Sequence, residues 1–277
     1  MPAEAPYTQF LNFGINAGNP EKRCIVGAGL KMYLTYRETQ DWLEQLLLRK
    51  DEIGQVGIFV LPTFLAINKA RDQLDGSSIL YGAQDTFWED RGPFTGEVSP
   101  HDLRELGCTF VEVGHAERRK LFCDTDEWVG QKTMAIIRSG MVPIICVGES
   151  EKQAVQDAID ETISQVQLAL QLSVGKWQTE SKREGSNSII IAYEPVWAIG
   201  VDQSAPVDHI KPVVEAIRTE VSKSWAGESA VLYGGSVNPS QAKALQQTGV
   251  DGLFIGRAAL NIDQFFETII AVSNCEF

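Results

Sequence analysis

Eight short runs rich in apolar and β-branched residues recur along the chain: Cys24 to Gly27, Val56 to Pro62, Ile79 to Gly82, Phe110 to Gly114, Val142 to Gly148, Ile189 to Glu194, Ala230 to Gly235 and Gly252 to Gly256. Helical patterns lie between most of them. Trp42, Leu43, Leu46 and Leu47 share one face, Val129, Thr133, Ile136 and Ile137 a second, and Ile159, Ile163, Val166 and Leu170 a third. Ser99-Pro100 and Asn238-Pro239 each pair an N-cap side chain with a proline suited to the first helical position. Strand and helix alternating in this way give a parallel sheet, and eight such units favour closure into a (β/α)8 barrel over an open doubly wound sheet.

At 277 residues the chain is long enough for one such barrel as a single α/β domain. The barrel is expected over residues 24–277, with residues 1–23 as an N-terminal extension. The polar segment Ser173 to Asn187 is expected outside the barrel core, as a surface loop or a helix extension before the sixth strand.

The formal net charge is -13 and the pI is near 4.7. Phosphate backbones repel such a chain, which argues against a nucleic-acid partner. An anionic small molecule must then be held by local features, namely N–H groups at helix starts and one or two placed cations. The cysteines show no C-x-x-C spacing and are odd in number, so reduced thiols are expected. His101, His115 and His209 show no H-E-x-x-H spacing, and no metal site is expected. No apolar run approaches the roughly 20 residues of a membrane span. The stretch Met1 to Asn19 lacks a signal-peptide pattern, so the reading is a cytoplasmic protein without a membrane partner.

Chemistry-bearing residues gather at the carboxyl ends of the expected strands, the face on which barrels of this kind place their sites. Lys31 follows the first run in Gly-Ala-Gly-Leu-Lys-Met, His115 follows the fourth in Val-Gly-His-Ala-Glu-Arg-Arg, and Glu194 ends the sixth. Singly, each has a structural reading: a solvated loop lysine, a helix-start histidine, an ion-paired carboxylate. Three chemically different groups on one face point instead to a shared pocket in which a carboxylate takes a proton from carbon. The last two runs end in Tyr233-Gly234-Gly235-Ser236 and Phe254-Ile255-Gly256-Arg257, glycine-bearing loops suited to binding phosphate.

These segments resemble the triosephosphate isomerase family. Gly-His-Ala-Glu-Arg-Arg is similar to its electrophile segment, Ala-Tyr-Glu-Pro-Val-Trp-Ala-Ile-Gly to its base and lid, Tyr-Gly-Gly-Ser-Val to its phosphate loop, and Gln84 to Glu97 to its dimer-forming loop. The resemblance covers nearly all of the chain beyond its N-terminal extension and implies a TIM barrel. It implies an aldose–ketose isomerase that moves a proton through an enediolate of a sugar phosphate. Under it Glu194 is the base, His115 a neutral electrophile and Lys31 the fixed positive charge; Glu117 orients the site, with Cys146 and Glu149 nearby. Pro195 to Ala205 form the lid, and Gly200, Ser236, Gly256 and Arg257 surround the phosphate. No metal or organic cofactor is implied, because the substrate's own carbonyl is the electron sink. A homodimer through residues 84–97 is implied, with Thr95 reaching the partner.

The departures from the family pattern fall in the same pocket. Gly29-Leu30-Lys31-Met32-Tyr33 stands where the family has Asn-Trp-Lys-Met-Asn. An amide that would contact the substrate is missing, and the glycine is expected to open volume. Ala116 replaces a serine, Asp202 the second lid glycine, and Arg257 the second glycine of the eighth-strand loop, adding a guanidinium able to bind phosphate or a hydroxyl. Asp85 replaces an asparagine in the dimer loop. Gly-Leu-Phe-Ile-Gly-Arg and Phe87-Trp88-Glu89-Asp90 resemble the family's four-carbon branch, the erythrulose-phosphate isomerases. The expected substrate is therefore a triose phosphate or, favoured by these departures, an erythrulose phosphate. The alternative is a phosphate-binding barrel that has lost catalysis and serves as a sensor or scaffold.

Overall fold

Each of the eight apolar runs forms a strand, and all eight run parallel. They are β3 (Ile25–Gly29), β4 (Gly57–Leu61), β5 (Leu80–Ala83), β6 (Phe110–Val113), β7 (Val142–Val147), β8 (Ser188–Tyr193), β9 (Glu228–Tyr233) and β10 (Gly252–Ile255). Each pairs with its neighbour in sequence, and β10 returns to β3 with Gly252 opposite Ile25, which closes the barrel. Before them, β1 (Ile15–Asn16) and β2 (Asn19–Arg23) pair antiparallel in a sheet of their own. The structure is a computed structural model that describes residues 15–16, 19–180 and 188–273. Of the expected N-terminal extension, residues 1–14 and 17–18 lie outside the described residues, as does Cys275.

The helices among the described residues are α1 (Tyr36–Leu48), α2 (Ile67–Leu74), α3 (Pro100–Glu105), α4 (Ala116–Phe122), α5 (Asp126–Arg138), α6 (Val155–Glu180), α7 (Val207–Ser224), α8 (Pro239–Gln246) and α9 (Ile262–Ser273). Local chemistry sets their starts. Ser99 accepts the N–H groups of His101 and Asp102 ahead of Pro100, and Asn238 accepts that of Gln241 ahead of Pro239. Residues 173–180 extend α6 as helix, while residues 181–187 lie outside the described residues. Among the described residues no helix is long and apolar enough to cross a membrane.

Period-two alternation sorts the strand side chains into two apolar layers. In β4, Phe59 and Leu61 turn into the barrel while Ile58 and Val60 pack beneath the helices. Phe59 lies between Phe110 and Phe254, with ring centroids 4.9 and 5.5 Å away. A Cβ at Gly27 would overlap the Phe59 ring, so the glycine of β3 is what lets this aromatic fill the barrel. The faces expected of α1 and α5 are buried: Trp42, Leu43 and Leu46 on one, Val129, Ile136 and Ile137 on the other.

Candidate active site

The carboxyl ends of the strands open into a cavity of about 930 Å3, and Lys31, His115, Glu117 and Glu194 all line it. Gly200, Ser236, Gly256 and Arg257 line the same cavity. Closure of the barrel thus brings together every residue singled out from the sequence as a site residue.

Lys31 sits past the end of β3 with a positive φ of 48°, a conformation costly for a residue with a side chain. Gln84 supports it from the loop after β5, donating from Nε2 to the carbonyls of Lys31 at 2.9 Å and Leu61 at 3.0 Å. The ammonium meets Glu117 Oε1 at 2.6 Å. Burial pulls the Lys31 pKa down, but the hydrogen bond and charge of Glu117, with Glu194 and Glu112 beyond it, more than offset this and leave it raised. The side chain is a permanent cation.

His115 caps α4. Its Nδ1 accepts the backbone N–H of Glu117 at 3.1 Å, which places the proton of the neutral ring on Nε2. Nε2 faces Glu194 Oε2 at 3.5 Å. Burial first, then the Lys31 charge, push the imidazole pKa down to about 4 against an upward pull from Glu117. The ring is therefore a neutral donor at physiological pH.

Glu194 follows the last residue of β8, its N–H donating to the Val147 carbonyl at 2.8 Å. It is buried, and its Oε2 has no hydrogen-bond partner among the described residues. Burial and the neighbouring Glu112 push its pKa well above the usual carboxylate range while Lys31 pulls it down. A carboxyl so placed is a strong base once ionised. Two glycines make its room. A Cβ at Gly234 would overlap the carboxylate, and one at Gly148 would overlap the Glu194 carbonyl.

The segment after Glu194 is tied down at both ends. Near its start Val196 N–H donates to the Glu149 carbonyl at 3.0 Å and the Trp197 indole to Glu149 Oε1 at 2.7 Å. Near its end Ala205 N–H donates to the Tyr233 hydroxyl at 2.9 Å. Between them Ser236 N–H donates to the Ala198 carbonyl at 2.8 Å, and the Arg257 guanidinium to the Gly200 carbonyl at 2.9 Å. Arg257, expected to face phosphate, thus reaches the segment expected to be the lid, and Asp202 is exposed. The volume expected from Gly29 is reduced by Phe254: a Cβ at Gly29 would stand 3.2 Å from the Phe254 ring.

Sequence reasoning passed over two groups. Glu112, in the middle of β6, lines the cavity beside Glu194; its signal was a lone acid in an apolar strand. His209, in the first turn of α7, meets the buried Glu149 at 2.8 Å, and the Tyr193 hydroxyl donates to the same carboxylate at 3.0 Å. The acid replacing asparagine in the dimer-type loop also has its reason: Asp85 meets Lys132 at 2.9 Å and Arg118 at 2.7 Å, and Asp124 completes the cluster.

A closed (β/α)8 barrel thus carries a buried carboxyl, an imidazole and a cation together at one mouth, the layout of a barrel enzyme. Residues 24–272 match the family model described as triosephosphate isomerase. The chain belongs to the triosephosphate isomerase family and is a sugar-phosphate isomerase of that family. It is 39% identical over 249 residues to an L-erythrulose-1-phosphate isomerase of Mesorhizobium japonicum, covering 88% of this chain and 95% of the relative. An L-erythrulose-1-phosphate isomerase of Pectobacterium atrosepticum is 37% identical over 86% of this chain and 91% of its own length. A triosephosphate isomerase of Rubrobacter xylanophilus is 34% identical over 91% and 98%.

Proposed function

We propose that the enzyme interconverts a ketose phosphate and an aldose phosphate through an enediolate, with Glu194 as the base. The observation that carries this is the buried, unpartnered Glu194 Oε2 opposite His115 Nε2 in a pocket that also holds Lys31. Glu194 removes the proton from the carbon beside the carbonyl, the electrons move onto the carbonyl oxygen, and the proton returns to the neighbouring carbon. His115 donates from Nε2 to the oxygens as charge grows there, and Lys31 supplies a cation that does not have to reorganise. Glu117 keeps Lys31 in place. Gly200, Ser236, Gly256 and Arg257 surround the phosphate, and the lid excludes water that would promote phosphate loss from the enediolate, the family being itself a standard case of such closure. The reaction calls on no metal or organic cofactor, since the carbonyl accepts the electrons.

Between the two substrates the reading favours erythrulose phosphate. Gly29, Asp202 and Arg257 depart from the triose pattern in the pocket, whereas Ala116, expected there, does not line it; two of the relatives above carry the four-carbon name. Turnover on glyceraldehyde 3-phosphate and on erythrulose phosphate, measured side by side, tests this. A kcat/KM at least tenfold higher on the four-carbon sugar is expected; preference for the triose overturns the assignment. Nothing favours an inactive barrel, since the proton-transfer residues are all present and share one pocket.

The same reading includes a cytoplasmic homodimer. Its support is the cavity rim, where Met32 is 89% and Leu65 83% exposed beside Tyr33, Leu121 and Phe122, next to the loop that begins at Gln84. An apolar set of this kind calls for a covering surface. Sedimentation at micromolar concentration should give twice the mass of the chain; a monomer there refutes the pairing.

A further inference from the structure

β6 reads Phe110-Val111-Glu112-Val113, and its alternate residues face inward, Phe110 into the apolar layer of the barrel. Glu112 therefore projects a carboxyl above Phe110 into the floor of the site, where it is buried and lines the cavity. Among the described residues its carboxyl receives a hydrogen bond from the Cys146 thiol at 3.5 Å, a weak donor. A buried carboxylate so poorly paired is costly, whereas a neutral carboxyl aimed at a polar ligand is not.

The charged surroundings point the same way. Facing Glu112 are Lys31 from the loop after β3, Asp85 after β5, Glu117 on α4, Cys146 on β7 and Glu194 after β8. Only Lys31 favours the ionised form among these charges, and burial dominates, pushing Glu112 up to about 8. Oxygen atoms of Glu112 and Glu194 and the Cys146 sulfur lie within 4.8 Å of one another. Two carboxylates so close do not both ionise readily, and they titrate as a pair. Both carboxyls are pushed up, so the pair holds a proton, and where Glu112 carries it Glu194 is free to be the base.

Resting on the isomerase reading above, we propose that Glu112 is a further catalytic residue, a neutral carboxylic acid that donates a hydrogen bond to substrate oxygen beside the reacting carbons. The pair works holding one proton, on Glu112. That proton stays on Glu112 throughout; the proton transferred is the one exchanged between substrate carbon and Glu194. Gly29 brings no polar group to this pocket, and Glu112 adds a third donor to Lys31 and His115. Carboxyls kept neutral by apolar surroundings can act in this way.

The test is kcat/KM against pH for the parent, E112Q and E112L, on whichever of the two sugar phosphates the parent turns over. For the parent, kcat/KM falls above about pH 8 as the pair loses its last proton. E112Q keeps an N–H donor that does not titrate, so it should stay within about fivefold of the parent at pH 7 and lose that alkaline limb. E112L should fall about 100-fold, mainly in kcat. An E112L variant within about threefold of the parent, or an E112Q variant with the alkaline limb unchanged, overturns the proposal. If E112L does not fold by circular dichroism, the E112Q profile decides alone. Absence of turnover by the parent on both sugars removes the isomerase reading and this proposal together; parent turnover with indifferent variants removes only the role of Glu112.

Discussion

His115 Nε2 lies 3.5 Å from Glu194 Oε2, with the other ring nitrogen already accepting the Glu117 N–H. The histidine thus aims a proton, and the carboxylate an unpartnered oxygen, at the same small space. Under the proposed function, the base and the electrophile there address adjacent atoms of one substrate, which is the geometry an enediolate mechanism requires.

Glu194→Gln should keep the fold and the affinity for inorganic phosphate while lowering kcat about 1,000-fold, the scale of a lost general base. Steady-state kinetics and phosphate inhibition check both halves. Turnover within tenfold of the parent would show that the proton is taken elsewhere.

His115 should remain neutral as pH falls through the ordinary histidine range and take up a proton only near pH 4. Its folded pKa is depressed below the unfolded value, so the folded state binds fewer protons between those values. The stability it contributes is full above about pH 6.5 and is lost as pH falls toward 4. Ring nitrogen shifts in labelled protein read this directly. Lys31→Met should move the transition upward, because the Lys31 charge is one of the forces holding it down; an unmoved transition would remove Lys31 from the account.

Gly234→Ala should cost about 100-fold in kcat with little loss of phosphate affinity, because the added methyl overlaps the Glu194 carboxylate and must displace it. A variant with parental kcat would mean that the base has slack the structure does not suggest.

Arg257→Ala removes the guanidinium that reaches the Gly200 carbonyl. KM and the inhibition constant of inorganic phosphate should both rise about tenfold, equivalent to about 1.4 kcal/mol. Unchanged constants would leave Arg257 outside both lid and phosphate binding.

Asp85→Ala leaves the buried Lys132 and the Arg118 guanidinium to share Asp124 alone. Breaking a buried ion cluster from one side should lower the unfolding free energy by about 3 kcal/mol. Urea unfolding measures it, and a loss below about 0.5 kcal/mol would mean that Asp124 suffices.

Much of this enzyme was legible before any coordinates, but unevenly. The eight strands were readable because apolar runs and the 3.6-residue face of helices such as α1 are local patterns. Most end one or two residues before the apolar runs do, β8 at Tyr193 and not Glu194, whereas β3 and β5 continue past theirs to Gly29 and Ala83. Lys31, His115 and Glu194 stood out because polar residues at the ends of apolar runs have few structural uses. Glu112 did not, since a single acid inside Phe-Val-Glu-Val carries no sign of what it faces.

What the sequence determined by itself is periodicity: which residues form strands and helices, where the caps fall, and at which end of the sheet the polar residues gather. Those properties depend on neighbours along the chain. Only the tertiary structure decided that Glu112 and Cys146 lie beside Glu194, that Gln84 steadies the strained Lys31, that Phe254 fills the space over Gly29, and that Arg257 reaches Gly200. Each joins residues on different strands or loops, and the distance between such side chains is set by ring closure and register, which no local pattern encodes.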